Sequence, residues 1–335
     1  MSESSALKIS IAMATYNGEK YLQEQLDSFV QQTRQPDELV VTDDCSTDGT
    51  LEILTDFSKT APFNVAVHQN ERNYGYCGNF SQALIRSSGD LVFLSDQDDV
   101  WFPSKIERLV QAAEDTPEAL VLMNDAVLTH GDLSETGLTK LGQIRSAGFS
   151  EDSFVMGCCA AVRRDLLDLC LPIPEGFPAH DNWVVGIADG MRRKRVIPEV
   201  LQYYRRHGDN TSQFIANRTR RVSRWEVEWH QWKGHVAAVF GAAGGAKRPL
   251  PVARSNYELL REWAQSATED APATYRADLQ NFLEQVDRRA NALVRREQIR
   301  RSRFDVRLRE VVSASREGTY KNFSGWKSAL RDLVG

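Results

Sequence analysis

Short runs of apolar, often β-branched residues alternate with amphipathic helical patterns between Leu7 and about Leu128. This alternation is typical of βαβ units, in which mostly parallel strands form a sheet that is covered by helices. The runs are KISIAMA, DELVVTD, FNVAVHQ, DLVFLSD and ALVLMND. We therefore predict an α/β domain with a mostly parallel central sheet flanked by helices.

Polar residues follow three of these runs at the point where each predicted strand ends. They form the clusters Thr15–Tyr16–Asn17, Asp43–Asp44 and Asp96–Gln97–Asp98–Asp99. Ligands of open α/β sheets bind outside the carboxyl ends of the strands. We therefore expect the three clusters to meet in one crevice.

The pattern changes towards the C-terminus. Between residues 131 and 212 we predict a strand over VMGCCAAV, helices beginning at Arg164 and His180, and a strand over RVIPEVLQYYRRH. Beyond Ser212 the segments are long, charged and helix-favouring, and residues 288–331 hold thirteen Lys or Arg against four Asp or Glu. We predict one domain over 1–212, with halves 1–130 and 131–212, and a helical extension over 213–335.

Composition excludes several classes of protein. The formal charge of −5 argues against general nucleic-acid binding, which depends on clustered Lys and Arg. Five cysteines without paired CxxC spacing indicate neither a disulfide framework nor a structural zinc site, and they fit a reducing cytoplasm. We expect no signal peptide and no membrane-spanning helix, and the absence of GxGxxG and GxxxxGK[ST] patterns weakens dinucleotide and P-loop interpretations.

The segment FLSDQDD, residues 93–99, places three carboxylates at the end of an apolar strand. Like charges are costly at such close spacing unless a cation neutralises them, and Mg²⁺ or Mn²⁺ prefers oxygen ligands. The structural alternative is a turn in which Asp99 caps a helix that begins near Phe102. Both interpretations hold together if Asp96 and Asp98 face a metal while Asp99 caps.

The segment ELVVTDDCSTDGT, residues 38–50, ends another strand with two carboxylates. Asp43 or Asp44 can accept hydrogen bonds from a base or a ribose, as the acidic residue of dinucleotide-binding folds does. Asp48 is expected to have a structural role as the N-cap of the next helix.

Four motifs together resemble family 2 glycosyltransferases with the GT-A fold, which has a Rossmann-like sheet. They are MATYNGEKYLQEQLDSFVQQT, VVTDDCSTDGT, RNYGYCGNF and FLSDQDDVWFPSKI. The resemblance covers about the first 130 residues in order and continues more loosely through HDNW and YYRRHGDNTS to about residue 212. This later part looks most like bacterial rhamnosyltransferase-like enzymes of surface-polysaccharide synthesis, many of which use dTDP-L-rhamnose.

The resemblance implies an inverting transferase that moves a sugar from a nucleotide diphosphate to an acceptor hydroxyl. It assigns donor binding to Thr15, Tyr16, Asn17, Asp43, Asp44, Gly75, Asn79, Asp96 and Gln97. It also implies a divalent cation, Mg²⁺ or Mn²⁺, held by Asp98 with Asp96 and His207. The donor would be dTDP-L-rhamnose or a UDP-hexose, and the acceptor a growing surface glycan such as O-antigen, lipopolysaccharide or capsule.

Asp181 matches the catalytic base of the family, with His180 in place of the usual preceding acid. Without the resemblance, Asp181 would be interpreted as a helix N-cap and His207 as a structural or surface histidine. Asp125 is a further candidate on the acceptor side. Arg205 and Arg206 either reach the diphosphate or lie at a solvated strand end.

Trp225, Trp229 and Trp232 form an aromatic stripe at helical spacing after the predicted domain. Packing against the catalytic domain is the first interpretation. Contact of this stripe and the basic tail with the cytoplasmic face of the inner membrane is the second, and a homo-oligomer or assembly contact through the helices is a third.

Two other functions stay open at this point. One is a sugar nucleotidyltransferase, although its phosphate loop rich in Gly and Arg or Lys has no counterpart in MATYNGEKY. The other is a non-catalytic scaffold that binds a nucleotide sugar within a glycan assembly complex.

Overall fold

The computed structural model describes residues 6–208, 215–229 and 250–334. The chain forms two compact units, Met1–Arg224 and Trp225–Gly335. The boundary between the two units lies after Arg224, whereas the sequence pattern predicts a domain boundary after residue 212.

Residues 218–222 belong to the first unit because the side chain of Gln143 binds them. Its Nε2 donates to the carbonyl oxygens of Arg218 and Arg220, at 2.8 and 2.7 Å. Its Oε1 accepts a hydrogen bond from the backbone N–H of Val222 at 3.0 Å. Sequence patterns do not report such side-chain contacts to an irregular segment.

The first unit contains strands and helices in alternation. The strands are β1 Ile9–Thr15, β2 Glu38–Asp43, β3 Asn64–Gln69, β4 Leu91–Ser95, β5 Val100–Trp101, β6 Val121–His130, β7 Glu135–Thr139, β8 Ala160–Arg163 and β9 Lys194–Arg206. The helices are α1 Glu19–Val30, α2 Thr50–Thr60, α3 Gly75–Arg86, α4 Lys105–Asp115, α5 Lys140–Ser146, α6 Arg164–Cys170 and α7 His180–Gly190.

The nine strands form one sheet in the order β3-β2-β1-β4-β8-β6-β9-β5, and β7 pairs with β6. Strands β1 to β4 are parallel, and β6 is parallel to β9. The short strand β8 lies antiparallel between β4 and β6, and β5 is antiparallel to β9. The predicted α/β fold with a mostly parallel sheet is therefore confirmed.

The centre of the sheet is buried on both faces, which explains why its strands are continuously apolar. All five residues of β4 are buried. Phe93 of β4 and Phe29 of α1 pack around Trp101, with ring centroids 5.9 and 4.8 Å from the indole. This packing fixes the level at which β4 ends and the acidic segment begins.

Two predicted elements differ from those in the structure. The helix after the acidic segment begins at Lys105 with Ser104 as N-cap, so the predicted capping role of Asp99 is wrong. Asp99 instead accepts hydrogen bonds from the side chain of Gln202 and the backbone N–H of Arg205. The first residues of VMGCCAAV form a 3₁₀ helix, Gly157–Cys159, and only the remainder is a strand.

Asp48 has a structural role, as predicted, but it is not the N-cap of α2, which is Gly49. Its Oδ1 accepts hydrogen bonds from the backbone N–H and the hydroxyl of Thr50. Its Oδ2 accepts one from the backbone N–H of Glu19, the first residue of α1. One carboxylate thus satisfies donors at the starts of two helices.

The second unit is helical, as predicted. Its described helices are residues 224–229, α8 Leu250–Asp270, α9 Ala273–Arg301, α10 Phe304–Arg316 and α11 Trp326–Val334. A small core of Ile299, Val311, Ala314 and Tyr320 joins α9 and α10, and Ala329 and Leu333 of α11 pack against it.

The tryptophan stripe is only partly described, and its predicted packing against the catalytic domain stays a prediction. Trp225 is 80% exposed and Trp229 is 55% exposed, while Trp232 lies outside the described residues. Among the helices that the structure describes, none is long and apolar enough to cross a membrane.

Gly89 permits the close approach of the chain before β4 to β1. A Cβ atom at this position would lie 2.6 Å from the backbone nitrogen of Ser10 and 2.5 Å from its Oγ. We expect Gly89→Ala to lower the free energy of unfolding by ~1–3 kcal/mol, because the backbone of β1 must shift. Urea denaturation measures this change.

Gly186, inside α7, provides the control, because nothing lies within 4 Å of a Cβ atom added there. Gly186→Ala should raise the free energy of unfolding by ~0.5–1 kcal/mol through better helix propensity. Equal effects of the two substitutions would contradict the steric argument.

Candidate active site

The carboxyl ends of β1 and β2 are tied together by the buried carboxylate of Asp43. Its Oδ1 accepts hydrogen bonds from the hydroxyls of Thr15 at 2.9 Å and Ser46 at 2.5 Å. Its Oδ2 accepts one from the backbone N–H of Ser46 at 2.8 Å. Ser46 Oγ in turn accepts from the backbone N–H of Asn17, which connects the loop after β1 to the same network.

Asp44 and Asn79 anchor the start of α3 to the same edge of the sheet. Asp44 Oδ1 accepts hydrogen bonds from Asn70 Nδ2 at 2.9 Å and from the backbone N–H of Tyr74 at 2.8 Å. Asn79 Nδ2 donates to the carbonyl oxygen of Thr15 at 3.0 Å. No residue that the structure describes donates a hydrogen bond to Asp44 Oδ2.

Gln97 holds the loop after β1 in place. Its Oε1 accepts the backbone N–H of Tyr16 at 2.8 Å, and its Nε2 donates to the carbonyl oxygen of Tyr16 at 3.0 Å. A Cβ atom on Gly18 would lie 2.4 Å from Gln97 Oε1, so a larger residue at this position would displace the Gln97 amide. The ring of Tyr16 remains half exposed at the edge of the crevice.

The structure therefore brings the predicted donor-binding residues to one edge of the sheet. Thr15, Asp43, Asp44 and Asn79 are buried there. Tyr16, Asn17 and Gly75 are exposed, and Gly75 has a φ of 72° at the first turn of α3. Their roles in donor binding stay predictions, because the geometry establishes their placement alone.

Asp98 and His207 are in direct contact. Asp98 Oδ2 lies 2.7 Å from His207 Nε2, and both side chains are largely buried. The pairing of β5 with β9 brings these distant parts of the chain together. The ring of Tyr21 covers the imidazole, with ring centroids 4.7 Å apart.

Asp96 lies in a region of excess negative charge. Burial, together with the charges of Asp98 and Asp181, raises the pKa of its carboxyl to about 7. Burial together with Asp98 and Asp96 also raises the pKa of Asp99 well above its usual value. A divalent cation would relieve this repulsion and favour ionised carboxylates.

A buried lysine partly offsets these negative charges from inside the protein. Lys105 Nζ donates to the carbonyl oxygen of Cys158 at 2.8 Å and to the side chain of Gln202, and lies 3.8 Å from the ring centroid of Trp101. Burial lowers its pKa to about 8, against the opposing effects of Cys159, Cys158, Asp99 and Asp96. The sequence does not predict the burial of Lys105, because a single lysine near the start of a helix is usually solvated.

Asp98 and His207 present a pair of ligand atoms that fits a divalent metal ion, and the participation of Asp96 stays a prediction. Two ligand atoms at right angles, each about 2.1 Å from Mg²⁺, are roughly 3 Å apart. The Asp98 and His207 ligand atoms are 2.7 Å apart, so a small displacement would admit an ion between them. The raised pKa of Asp96 shows that the carboxylates alone are not electrically balanced.

A second group of ligand atoms, on Asp96, Asp99 and Cys158, lies within 4.8 Å of one another. This group is a poorer site for Mg²⁺ or Mn²⁺. Burial raises the pKa of the Cys158 thiol well above its usual value, and these metals prefer oxygen ligands. Both oxygens of Asp99 already accept hydrogen bonds from β9.

Asp181 lies in the first turn of α7, half-buried, and Ala179 is the N-cap of that helix. The predicted capping alternative therefore does not describe its position. The charge of Asp181 contributes to the raised pKa values of Asp96 and Cys77, so Asp181 lies within electrostatic range of both. Its role as the base stays a prediction.

His180 is buried next to Asp181. Its ring stacks on Phe80, with centroids 3.8 Å apart, and its Nε2 lies against Gly157. Neither ring nitrogen has a hydrogen-bond partner within the described part of the chain. Burial lowers its pKa to about 4, so this imidazole is neutral at pH 7.

Three other candidates have structural roles. The buried guanidinium of Arg205 donates to the carbonyl oxygens of Asp98 and Gly131 and binds the carboxylate of Glu24. Arg206 lies beside the ring of Tyr204 instead. Asp125 is buried, and its Oδ1 accepts the backbone N–H groups of Ala126 and Leu141.

The neutral state of His180 gives a prediction about stability. Its pKa is about 4 in the folded chain and near 6.5 when unfolded, so the unfolded state binds more protons between these values. Stability should therefore fall as the pH is lowered from 6.5 towards 4, by at most ~3 kcal/mol from this group. His180→Asn should flatten the dependence, which urea titrations at several pH values measure; an unchanged slope would contradict it.

Comparison with known proteins connects this geometry to a family. Residues 10–170 match the profile of glycosyl transferase family 2. An uncharacterized glycosyltransferase from Nostoc sp. is 28% identical over 225 residues, which cover 64% of this chain and 69% of the relative. The dTDP-rhamnosyl transferase RfbG of Shigella flexneri is 34% identical over 102 residues, covering 29% of this chain and 35% of that protein.

Among solved structures, S. aureus TarS 1-349 in complex with UDP-GlcNAc has a TM-score of 0.51 and 21% sequence identity. The match covers 94% of this chain and 89% of that one, and it shows a shared fold. The matched residues 10–170 include β1 to β4 with the polar clusters at their ends. Residues 10–170 therefore carry a glycosyl transferase family 2 domain.

Proposed function

We propose that the first unit transfers a sugar from a nucleotide diphosphate to an acceptor hydroxyl with inversion at the anomeric carbon, and that it requires a divalent metal. One observation carries the proposal. Asp98 and His207 present two metal-ligating atoms 2.7 Å apart, and Asp96, beside them, is close enough to Asp181 for that charge to raise its pKa. A cation site and a carboxylate outside it are what such a reaction needs.

The loop after β1 and the turn after β2 supply the donor pocket in this proposal. The exposed ring of Tyr16 offers a surface on which a base stacks, and Asn17 lies in the same loop. The free oxygen of Asp44 accepts a hydrogen bond from the base or the ribose. Thr15, Asp43 and Asn79 hold these groups in place through the network at the strand ends.

Asp98, His207 and Asp96 hold the cation, with Asp98 as the direct carboxylate ligand. The bound ion, Mg²⁺ or Mn²⁺, supplies positive charge where the diphosphate leaves. Arg205 fixes the position of Asp98 by donating from Nε to its carbonyl oxygen at 2.8 Å. Gln97 keeps the donor loop at a constant distance from the acidic segment.

Asp181 acts as the general base. Its carboxylate accepts the proton of the acceptor hydroxyl while the hydroxyl oxygen attacks the anomeric carbon. The bond from that carbon to the diphosphate breaks on the opposite side, so the configuration inverts. The backbone N–H of Asn182 donates to Asp181 Oδ1 at 2.7 Å and orients the carboxylate. The acidic residue that usually precedes the base of this family is therefore not needed for this orientation.

We base the choice of donor and acceptor on the proteins that this chain resembles. The likeness to a dTDP-rhamnosyl transferase favours dTDP-L-rhamnose, and the fold shared with a UDP-GlcNAc complex keeps a UDP-hexose as the other choice. We propose a growing bacterial surface glycan as the acceptor, with a location in the cytoplasm at the inner face of the membrane. A lipid-linked acceptor would bring the enzyme to that surface.

The alternative of a scaffold without activity makes a different prediction for Asp181. A scaffold needs the donor pocket and the metal but has no use for a base outside them. A sugar nucleotidyltransferase would release pyrophosphate from a nucleoside triphosphate. Measuring which product appears separates these functions.

Substitution of Asp98 should remove metal-dependent donor binding. Asp98→Ala should lower metal affinity by more than the roughly 10–100-fold that loss of an outer-shell partner costs. Isothermal titration of Mn²⁺ with a nucleotide measures this loss. Asp168→Asn, which changes a carboxylate that is 66% exposed, is the matched control and should bind as the unsubstituted chain does. Undiminished binding by Asp98→Ala would refute the metal assignment.

Substitution of Asp181 should separate chemistry from binding. Asp181→Asn should lower kcat by ~10²–10⁴-fold with little change in donor affinity, because the general base is lost and the pocket is kept. Turnover is measured as nucleotide release from a panel of dTDP, UDP and GDP sugars with Mg²⁺ or Mn²⁺. Normal turnover by this variant would rule out Asp181 as the base, and retention of configuration in the product would rule out inversion.

A further inference from the structure

Two helices of the second unit carry apolar stripes that face solvent. On α10 the stripe is Phe304, Leu308 and Val312, and on α11 it is Trp326, Leu330 and Val334. In each helix the residues are four positions apart, which places them along one side. These six side chains are between 42% and 72% exposed.

Each of these helices has a separate buried face, so the exposed stripes are not needed to form the core of the second unit. Val311 and Ala314 are the buried face of α10, and Ser328 and Asp332 are buried on α11. Arg307 joins the helices by donating to the carbonyl oxygens of Arg300 and Leu333. Both helices are therefore fixed by their inner faces, and the stripes are additional apolar surface.

The acidic groups of this region are already engaged inside the unit. Asp332 is buried between Arg296 and Arg300. Glu310 pairs with Arg295 at 2.5 Å, and Asp305 lies 3.6 Å from Arg303. Glu317 accepts a hydrogen bond from Ser313. Each of these four carboxylates thus has a partner inside the second unit.

The cations next to the stripes differ from these carboxylates in their ion pairing. Arg309, Arg316 and Lys321 are exposed, and none of them forms an ion pair with a residue that the structure describes. At 100° per residue, Arg309 and Arg316 lie beside the α10 stripe, so that α10 has a buried strip, an exposed apolar strip and an exposed cationic strip along its length. Lys327 and Arg331 lie beside the α11 stripe, where both are half-buried and Lys327 Nζ is 4.0 Å from Glu228 Oε1.

We infer that α10 and α11 bind an anionic membrane surface, with the Phe304 and Trp326 stripes in the interface and the flanking cations on the lipid head groups. Helices with this distribution lie in the plane of a membrane, and each cation near anionic lipid contributes about a fivefold gain in affinity, or ~1 kcal/mol. The inference deepens the membrane location proposed for this transferase and does not depend on the reaction.

A second copy of the chain is a poorer occupant of this surface. In a two-fold symmetric dimer the same patch lies on both subunits. Arg309 and Arg316 would then face their own copies without acidic partners. An anionic bilayer offers both the apolar contact and the opposite charge.

Vesicle flotation of the full chain tests the inference. The chain should bind vesicles of phosphatidylcholine with phosphatidylglycerol, fail to bind pure phosphatidylcholine, and be released by salt. The double variant Arg309→Gln with Arg316→Gln should bind about 30-fold more weakly. Trp326→Ala and Leu330→Ala together should lose about tenfold or more, because apolar area no longer leaves water.

Arg288→Gln with Arg289→Gln is the matched control, since it removes the same charge from exposed positions of α9. An equal loss in this control, or equal binding to uncharged vesicles, would overturn the inference. So would the absence of vesicle binding together with a dimer that the Arg309 and Arg316 substitutions dissociate.

The same preparations separate this inference from the proposed reaction. The membrane variants should keep nucleotide release towards a soluble acceptor, and Asp98→Ala and Asp181→Asn should bind vesicles normally. Loss of turnover in the catalytic variants without loss of flotation would leave the surface intact. Normal turnover with no flotation would leave the transferase proposal intact and refute the membrane surface.

Discussion

Three carboxylates within four residues, Asp96, Asp98 and Asp99, follow the buried strand β4. Their mutual repulsion is the constraint to which the surrounding residues respond. The protein opposes it with Lys105 from the interior and with His207 against Asp98, while Gln202 and backbone N–H groups of β9 satisfy Asp99. The compensation is incomplete, because burial and the charges of Asp98 and Asp181 still raise the pKa of Asp96 to about 7. Incomplete compensation leaves a site whose charge balance improves when a cation binds.

The same constraint explains the dependence of the donor half on a distant strand. Arg205 and His207 come from the end of β9, yet they position the backbone and the side chain of Asp98. The short pair β5–β9 makes this contact possible by returning the chain beside the acidic segment. A substitution that displaces β9 would therefore disturb the proposed metal ligand Asp98 without altering any residue of the loops after β1 and β2.

The sequence predicts what local patterns and motif order encode. The parallel strands, the helices beginning at Arg164 and His180, and the meeting of the strand ends are all visible in the residues. It does not predict the insertion of β8 against its neighbours or the burial of Lys105, which depend on pairing between distant segments. The same reason made Asp99 look like a helix cap, since its partners lie more than a hundred residues away.

Net charge is a poor guide to what each surface of this chain can bind. The formal charge of −5 includes the acidic cluster of the first unit and the basic tail of the second. At physiological ionic strength charges interact over about 8 Å, so a surface is recognised by its nearest charges. Exposed Arg309 and Arg316 beside the α10 stripe can thus attract anionic lipid although the whole chain is negative. By the same argument, salt should weaken membrane binding far more than it weakens the partly buried Asp98–His207 site.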